Sequence, residues 1–527
     1  MLNPHMAEDI TILEQYLTGQ SPDTQPAGRA YNTISTTSAN PIVYLRVPRI
    51  RKGLRSSLDP GRTQREIVEQ VLSPFAVEVR KLYFDYVQPC FPILDEQTFL
   101  QLWLKDNDRI SPTLLCDIYA TATLYWRQSE VLRKYPQPDL HFLWNTAVTA
   151  LQEDFMEPTI STVLAALLDM MGRPVGTMTG NIVNTGRVVT LAQSLGLHRD
   201  PTSWNSSTHE KNMRVRLWWG VLIHDAWSSI GHGTPPTINS RYYDVPMVTP
   251  EMLATPEMSE TYFRTTMTFI HLCKLTVILI DILPYVYSLT LDVDEMWRQL
   301  RRTECALDDW VLCLPEHLEA SASITYVNGA SNLWLTYLSV KLLACRLAFK
   351  VTLKEPVQSL EARQYRLSTL REASCEVATF VTSLRDAQLQ GFWLPYTSYL
   401  LVTAATILLR CTVECGNIAT KRSCATKLTA FRDRLRSASE ESAWDLADFC
   451  LERCNEPIQR ITDAMMVAPP NAQTPMADTS DGSAPIEMTQ ESNEALPTGN
   501  MFPPIDSLEF PWDSLCDTFD GPWPTQL

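Results

Sequence analysis

The chain has 527 residues, 45% of them hydrophobic, with 18 glycines, 35 prolines, 13 cysteines and a formal net charge of −16. That length and apolar content can bury a large core, and the scarcity of glycine disfavours folds built on repeated tight turns or phosphate-cradling loops. The charge is local: residues 461–527 hold 11 acidic residues and no Lys or Arg, so the other 44 basic and 49 acidic residues leave the body at −5, too balanced to attract nucleic acid in bulk.

The opening residues, MLNPHMAEDI, have neither a basic start nor an apolar run, and no secretory signal is predicted. Residues 1–70 are rich in Ser, Thr, Pro and Gln and read as a flexible linker. Within it Arg46, Arg49, Arg51, Lys52 and Arg55, continued by Arg62 and Arg65, form a basic run broken by Asp59 and Glu66. Clustered cations of this kind suit a nuclear import receptor or a phosphate backbone; the plain alternative is a solvated linker.

Helical periodicity begins near Pro74. Phe75, Val79, Leu82 and Tyr86 fall on one face of a helix that Pro89 ends, and Asp95 is placed to cap a second helix containing Phe99, Leu102 and Trp103. Further helices are predicted over 114–126, 142–155, 160–171, 182–195 and 213–230, with Gly196 supplying a left-handed stop. Others follow over 262–282, 291–312, 334–351, 360–384, 399–415 and 428–465. Strand-like alternation is hardly visible, and no period of about 34 to 47 residues recurs as a solenoid would require. The expected fold is therefore all-α: one large irregular helical domain over 71–465, between a disordered N-terminal linker and a disordered tail over 466–527. The longest uncharged apolar stretch, 392–409, contains a proline and several hydroxyls and is read as a buried helix rather than a membrane span.

The cysteines are odd in number, lie mostly among apolar neighbours and include no C-x-x-C, so they are read as reduced thiols. Enzyme signatures are missing too. The P-loop, G-x-G-x-x-G, G-x-S-x-G and H-E-x-x-H do not occur, Asp308-Asp309 has no second aspartate at helical spacing, and His224-Asp225 stands alone. An all-α metal-dependent enzyme remains only as a remote alternative.

Three segments carry a resemblance. They are YFDYVQPCFPILDEQTF over 83–99, LAQSLGLHRDPTSW over 191–204, and EKNMRVRLWWGVLIHDAWSSIGHGTPPTINSRYYDVPMV over 210–248. In this order they resemble the middle homology region of the fungal binuclear zinc-cluster transcription factors: a Phe-Pro-Ile corner (Phe91, Pro92), a Leu-Trp-Trp helix (Leu217, Trp218, Trp219) with its aspartate Asp225, then a Gly-x-Pro turn and a Tyr-Asp-Val-Pro segment. Gln88 stands where the family usually has histidine. Asp225, in an apolar helix, needs a partner; a buried ion pair with Arg214 or Arg199 is the expectation. The resemblance implies a helical regulatory domain and usually a six-cysteine cluster holding two zinc ions. No cysteine precedes Cys90, so no cofactor is expected in this chain. Either the sequence starts downstream of the cluster, or promoter DNA is reached through a partner.

The last residues interleave Phe502, Leu508, Phe510, Trp512, Leu515, Phe519 and Trp523 with Asp506, Glu509, Asp513, Asp517 and Asp520. Mutually repelling carboxylates keep such aromatics available for capture in a partner's groove, the pattern of an acidic activation tail; the plain alternative has them docking back on the body. The resemblance and the tail together imply a nuclear, non-enzymatic regulator of RNA polymerase II genes. Its expected partners are coactivators, with a second copy or a zinc-cluster heteropartner, and no membrane. The alternative is a coactivator or scaffold that naturally lacks a DNA-binding domain.

Overall fold

A computed structural model describes residues 1, 6–7, 9–10, 31–35, 42–45, 59–172, 178–255, 258–290, 292–319, 326–355 and 359–467. The chain separates into two units, Met1–Ala468 and Pro469–Leu527, and all described residues belong to the first.

The described body is helical. In chain order its longer helices are α1 (Arg62–Leu72), α2 (Ala76–Leu82), α3 (Glu96–Lys105), α4 (Pro112–Thr123), α5 (Leu140–Asp154), α6 (Ile160–Asp169), α7 (Met178–Ser194) and α8 (Thr208–His232). After these come α9 (Glu260–Tyr287), α10 (Val293–Leu312), α11 (Ala330–Thr352), α12 (Leu360–Ser383), α13 (Thr397–Glu414), α14 (Ile418–Ser442) and α15 (Asp448–Val467). Local chemistry fixes many starts. The Ser111 hydroxyl accepts the Leu114 N–H with Pro112 at the first helical position, Asp139 accepts from His141 and Phe142, and Ser207, Ser259, Asp292 and Asn417 do the same for their helices. Asp95 does stand at the N-cap of α3, but its carboxylate accepts the Thr98 hydroxyl at 2.9 Å instead of a backbone N–H. Gly196 has φ of 70°, the left-handed stop expected after α7.

Three expectations need correction. First, α1 begins inside the segment read as a flexible linker and runs past its end, with Val68 and Leu72 buried in the core; an antiparallel hairpin, β1 (Tyr31–Ser35) with β2 (Ile42–Leu45), also forms within that segment, and the Tyr44 hydroxyl donates to Leu195 O at 2.7 Å. Second, the single helix expected over 428–465 is two helices, α14 and α15, because Ala443 turns left-handed at φ 52° and Trp444 buries its ring before a 3-10 turn over Asp445–Ala447. Third, the apolar stretch over 392–409 is helical only from Thr397, with Phe392, Trp393 and Leu394 buried ahead of the helix. Among the described residues it is Glu260–Tyr287 that is long and apolar enough to cross a membrane, and in this fold Phe269, Leu272, Leu275 and Leu279 from it pack into the core.

Two hydrophobic cores result. Among the described residues the first draws mainly on α1 to α11 and includes Trp144, Trp218, Trp227 and Phe269, while the second is built from α11 to α15 around Trp393, Phe431 and Trp444. Helix α11 serves both: Leu333, Val340 and Leu347 enter the first, Leu335, Leu342 and Phe349 the second. Helix α13 divides likewise, Leu400 to the first and Leu401, Leu408 and Cys411 to the second.

Candidate regulatory core and adjoining cleft

The three motif segments, up to about 160 residues apart in sequence, are tied together by buried polar bonds. At the first, α2 runs into a π turn over Tyr83–Val87, closed by the Gln88 N–H on Tyr83 O at 2.9 Å. The side chain of Gln88 donates to Leu94 O at 2.8 Å and accepts from the Tyr83 hydroxyl at 3.3 Å, stapling both ends of the Phe-Pro-Ile corner. Phe91 is fully buried, edge-on to His224 and to Phe269. Arg216 of α8 also donates to Leu94 O, at 3.3 Å, and to Met252 O at 3.4 Å, joining the corner to the third segment.

On α8, Leu217 and Trp218 are fully buried and Trp219 nearly so; the Trp219 indole donates to Pro246 O at 2.7 Å, anchoring the Tyr-Asp-Val-Pro stretch. Asp244 of that stretch accepts the Asp200 N–H at 2.7 Å and pairs with Arg199 at 3.1 Å, which closes the second segment onto the third. The ion pair expected at Asp225 does not form. Arg199 is taken by Asp244, and Arg214 pairs with Glu210 at 3.0 Å while its guanidinium lies over Trp204. Asp225, 4% exposed, instead accepts two backbone N–H groups, Thr237 at 3.0 Å and Ile238 at 2.9 Å, and so holds the turn after the Gly-x-Pro sequence. Burial raises its pKa and these bonds offset part of the rise. One residue earlier, His224 Nδ1 meets the Tyr396 hydroxyl at 2.7 Å, and burial pushes the imidazole down to about 3, so it stays neutral.

Other buried acids are less well partnered. Asp117 on α4 has two buried oxygens without a hydrogen-bond partner, and burial, then Asp169 and Asp154, hold its pKa well above the carboxylate range. Burial likewise pushes Asp169 on α6 up to about 7. Among the described residues no three His, Cys, Asp or Glu side chains converge as metal ligands. The described cysteines are free, with Cys305 and Cys313 exposed rather than packed inside.

A cleft of about 460 Å³ opens beside this core, where the ends of α8 and α9 meet α11 and α13. Leu342, Leu347, Phe349, Leu400 and Ile407 line it, and Arg346, Lys350 and Arg410 are its only charged lining residues. Sequence reading missed these cations and Arg216; it met Gln88 only as a departure from the family's histidine and Asp244 only as part of the Tyr-Asp-Val-Pro segment. The spacing of Arg346 and Lys350 on one helical face was available as a signal, whereas the approach of Arg410 from a helix 60 residues on was not. Of the residues singled out in the sequence, Phe91, Pro92, Leu217, Trp218, Trp219 and Asp225 gather in the core as structural members. Arg46, Arg49, Arg51, Lys52 and Arg55, and all seven tail residues from Phe502 to Trp523, lie outside the described residues. Arg62 and Arg65, which continued the basic run, are engaged by Asp59, Glu66 and Glu69.

Residues 81–311 match the fungal specific transcription factor domain. The chain is 25% identical over 419 residues to a transcriptional regulatory protein of Schizosaccharomyces pombe, covering 78% of this chain and 61% of that protein. It is 23% identical over 375 residues to the transcriptional activator protein DAL81 of Saccharomyces cerevisiae, covering 62% and 38%, and 22% identical over 301 residues to the cutinase transcription factor 1 alpha of Fusarium vanettenii, covering 52% and 32%. The chain thus spans less than two thirds of the length of each of these relatives.

Proposed function

We propose that this chain, whose residues 81–311 match the fungal specific transcription factor domain, is a nuclear regulator of RNA polymerase II transcription and not an enzyme. The observation that carries this reading is the mutual hydrogen bonding of the three motif segments inside the matched region, centred on Gln88, Arg216 and Asp244. They form a structural knot whose imidazole is neutral and whose aspartate is spent on backbone N–H groups, which suits a rigid regulatory frame better than proton transfer. The acidic, ring-bearing residues 466–527 are the activating segment, recruiting coactivators through Phe510, Trp512 and their neighbours. Promoter contact comes from a zinc cluster outside this sequence or from a DNA-bound partner, which is either a second copy or a zinc-cluster relative.

Fusing residues 466–527 to a heterologous DNA-binding domain tests the activating role. Reporter output is expected, falling toward background when Phe510 and Trp512 become Ala; an inert fusion, or one indifferent to both substitutions, refutes it.

A further inference from the structure

The cleft beside α11 has a chemical asymmetry that the structural knot does not need. Its floor is aliphatic and aromatic, and the nearby Ser339 hydroxyl is already committed to Leu335 O at 2.7 Å. Its charged lining is wholly cationic. Arg410 is partly answered by Glu414, at 2.7 Å, and leans over the Phe349 ring. Arg346 and Lys350, both exposed at the mouth of the cleft, have no acidic partner among the described residues, and partial desolvation together with the charge of Arg410 lowers the Arg346 pKa. Like charges gathered at the rim of an apolar hollow repel one another, and an anion seated between them would relieve that repulsion. The volume lies in the range of about 300 to 1,000 Å³ typical of small-ligand sites, short of the long apolar stripe a docked helix requires.

We propose that this cleft binds a small amphipathic carboxylate, its aliphatic or aryl body against Leu342, Phe349 and Ile407 and its carboxylate between Arg346 and Lys350. The position gives such a ligand leverage. Helices α11 and α13 each contribute to both cores, so a molecule wedged among α8, α9, α11 and α13 bears on how the matched region packs against the C-terminal helices. The inference goes beyond transcriptional regulation and stands apart from it, since binding is read without any reporter.

The test uses the full chain, with sodium octanoate as the probe and octan-1-ol as its uncharged counterpart, followed by isothermal titration and by thermal unfolding. Octanoate is expected to bind one site and raise the unfolding midpoint with concentration, while octan-1-ol binds at least about tenfold more weakly for want of the charge-assisted bonds. The double variant R346A/K350A, altered at the exposed mouth, is expected to lose about tenfold or more in octanoate affinity, and R346K/K350R to retain most of it. Equal binding of acid and alcohol, many equivalent sites, or octanoate affinity unchanged in R346A/K350A would each overturn the proposal. Should R346A/K350A fold poorly, R346K/K350R decides: retained one-site binding that prefers acid over alcohol supports the site, and its loss in a folded protein counts against it.

Discussion

Replacing Asp225 by alanine leaves the Ile238 N–H unpaired in the interior, beside a side chain that is 7% exposed, and strips the part-buried Thr237 N–H of its acceptor. A hydrogen bond to a charged acceptor contributes about 1.5 to 3 kcal/mol, and a buried donor left unmade costs about 1 to 3 kcal/mol. Because burial raises the carboxyl pKa, part of that gain is already offset by desolvation, and the lower ends apply: about 3 kcal/mol for the two bonds together. Urea unfolding followed by tryptophan fluorescence measures it, as a midpoint lowered by about 1 M for a slope near 3 kcal/mol per M. Asp225→Asn, which keeps one acceptor oxygen but turns an amide donor toward a backbone donor, should fall between. Arg199→Ala and Arg214→Ala should each cost no more than about 1 kcal/mol, since their partners Asp244 and Glu210 are 51% and 40% exposed. If D225A costs under about 1 kcal/mol the backbone account is wrong, and if either arginine variant matches a large D225A cost the aspartate works as an ion-pair member instead.

Two further outcomes follow from the same packing. Gly196→Ala puts a Cβ on a residue at φ 70° and against the Tyr44 hydroxyl, so it should cost at least about 1 kcal/mol and release the hairpin, seen as faster proteolysis within residues 31–45; unchanged cleavage would argue against hairpin docking. Asp169, with a folded pKa near 7 against about 3.9 when unfolded, holds a proton that the unfolded chain releases. Stability should therefore decline as pH rises from about 4 to 7 and level off above, and Asp169→Asn should flatten that decline by a few kcal/mol in urea titrations run at several pH values; an unchanged slope in D169N removes the assignment.

The helical body was readable because apolar residues at three- and four-residue steps must share a face, and helices such as α8 carry that pattern together with a cap at Ser207. The break between α14 and α15 was not readable. Its left-handed residue is Ala443, without the glycine that usually marks one, and Pro457, the conspicuous breaker, lies inside α15. Helix α1 could have been found from Val68 and Leu72 at a four-residue step, but its surroundings are so polar that composition prevailed over periodicity. The partners of Asp225 are backbone groups of a loop 12 residues ahead, and every residue but proline supplies an N–H, so the side-chain alphabet points to arginine where the folded chain uses none.

The double-sided helix α11 has a practical consequence for dissecting the protein. The matched region ends at residue 311, yet α11 begins at Ala330 and plugs the first core with Leu333, Val340 and Leu347. Cutting where the family match ends would leave that core open to solvent along a whole helix length, so a boundary placed after α11 and the helices that pack on it is the better choice for dissection.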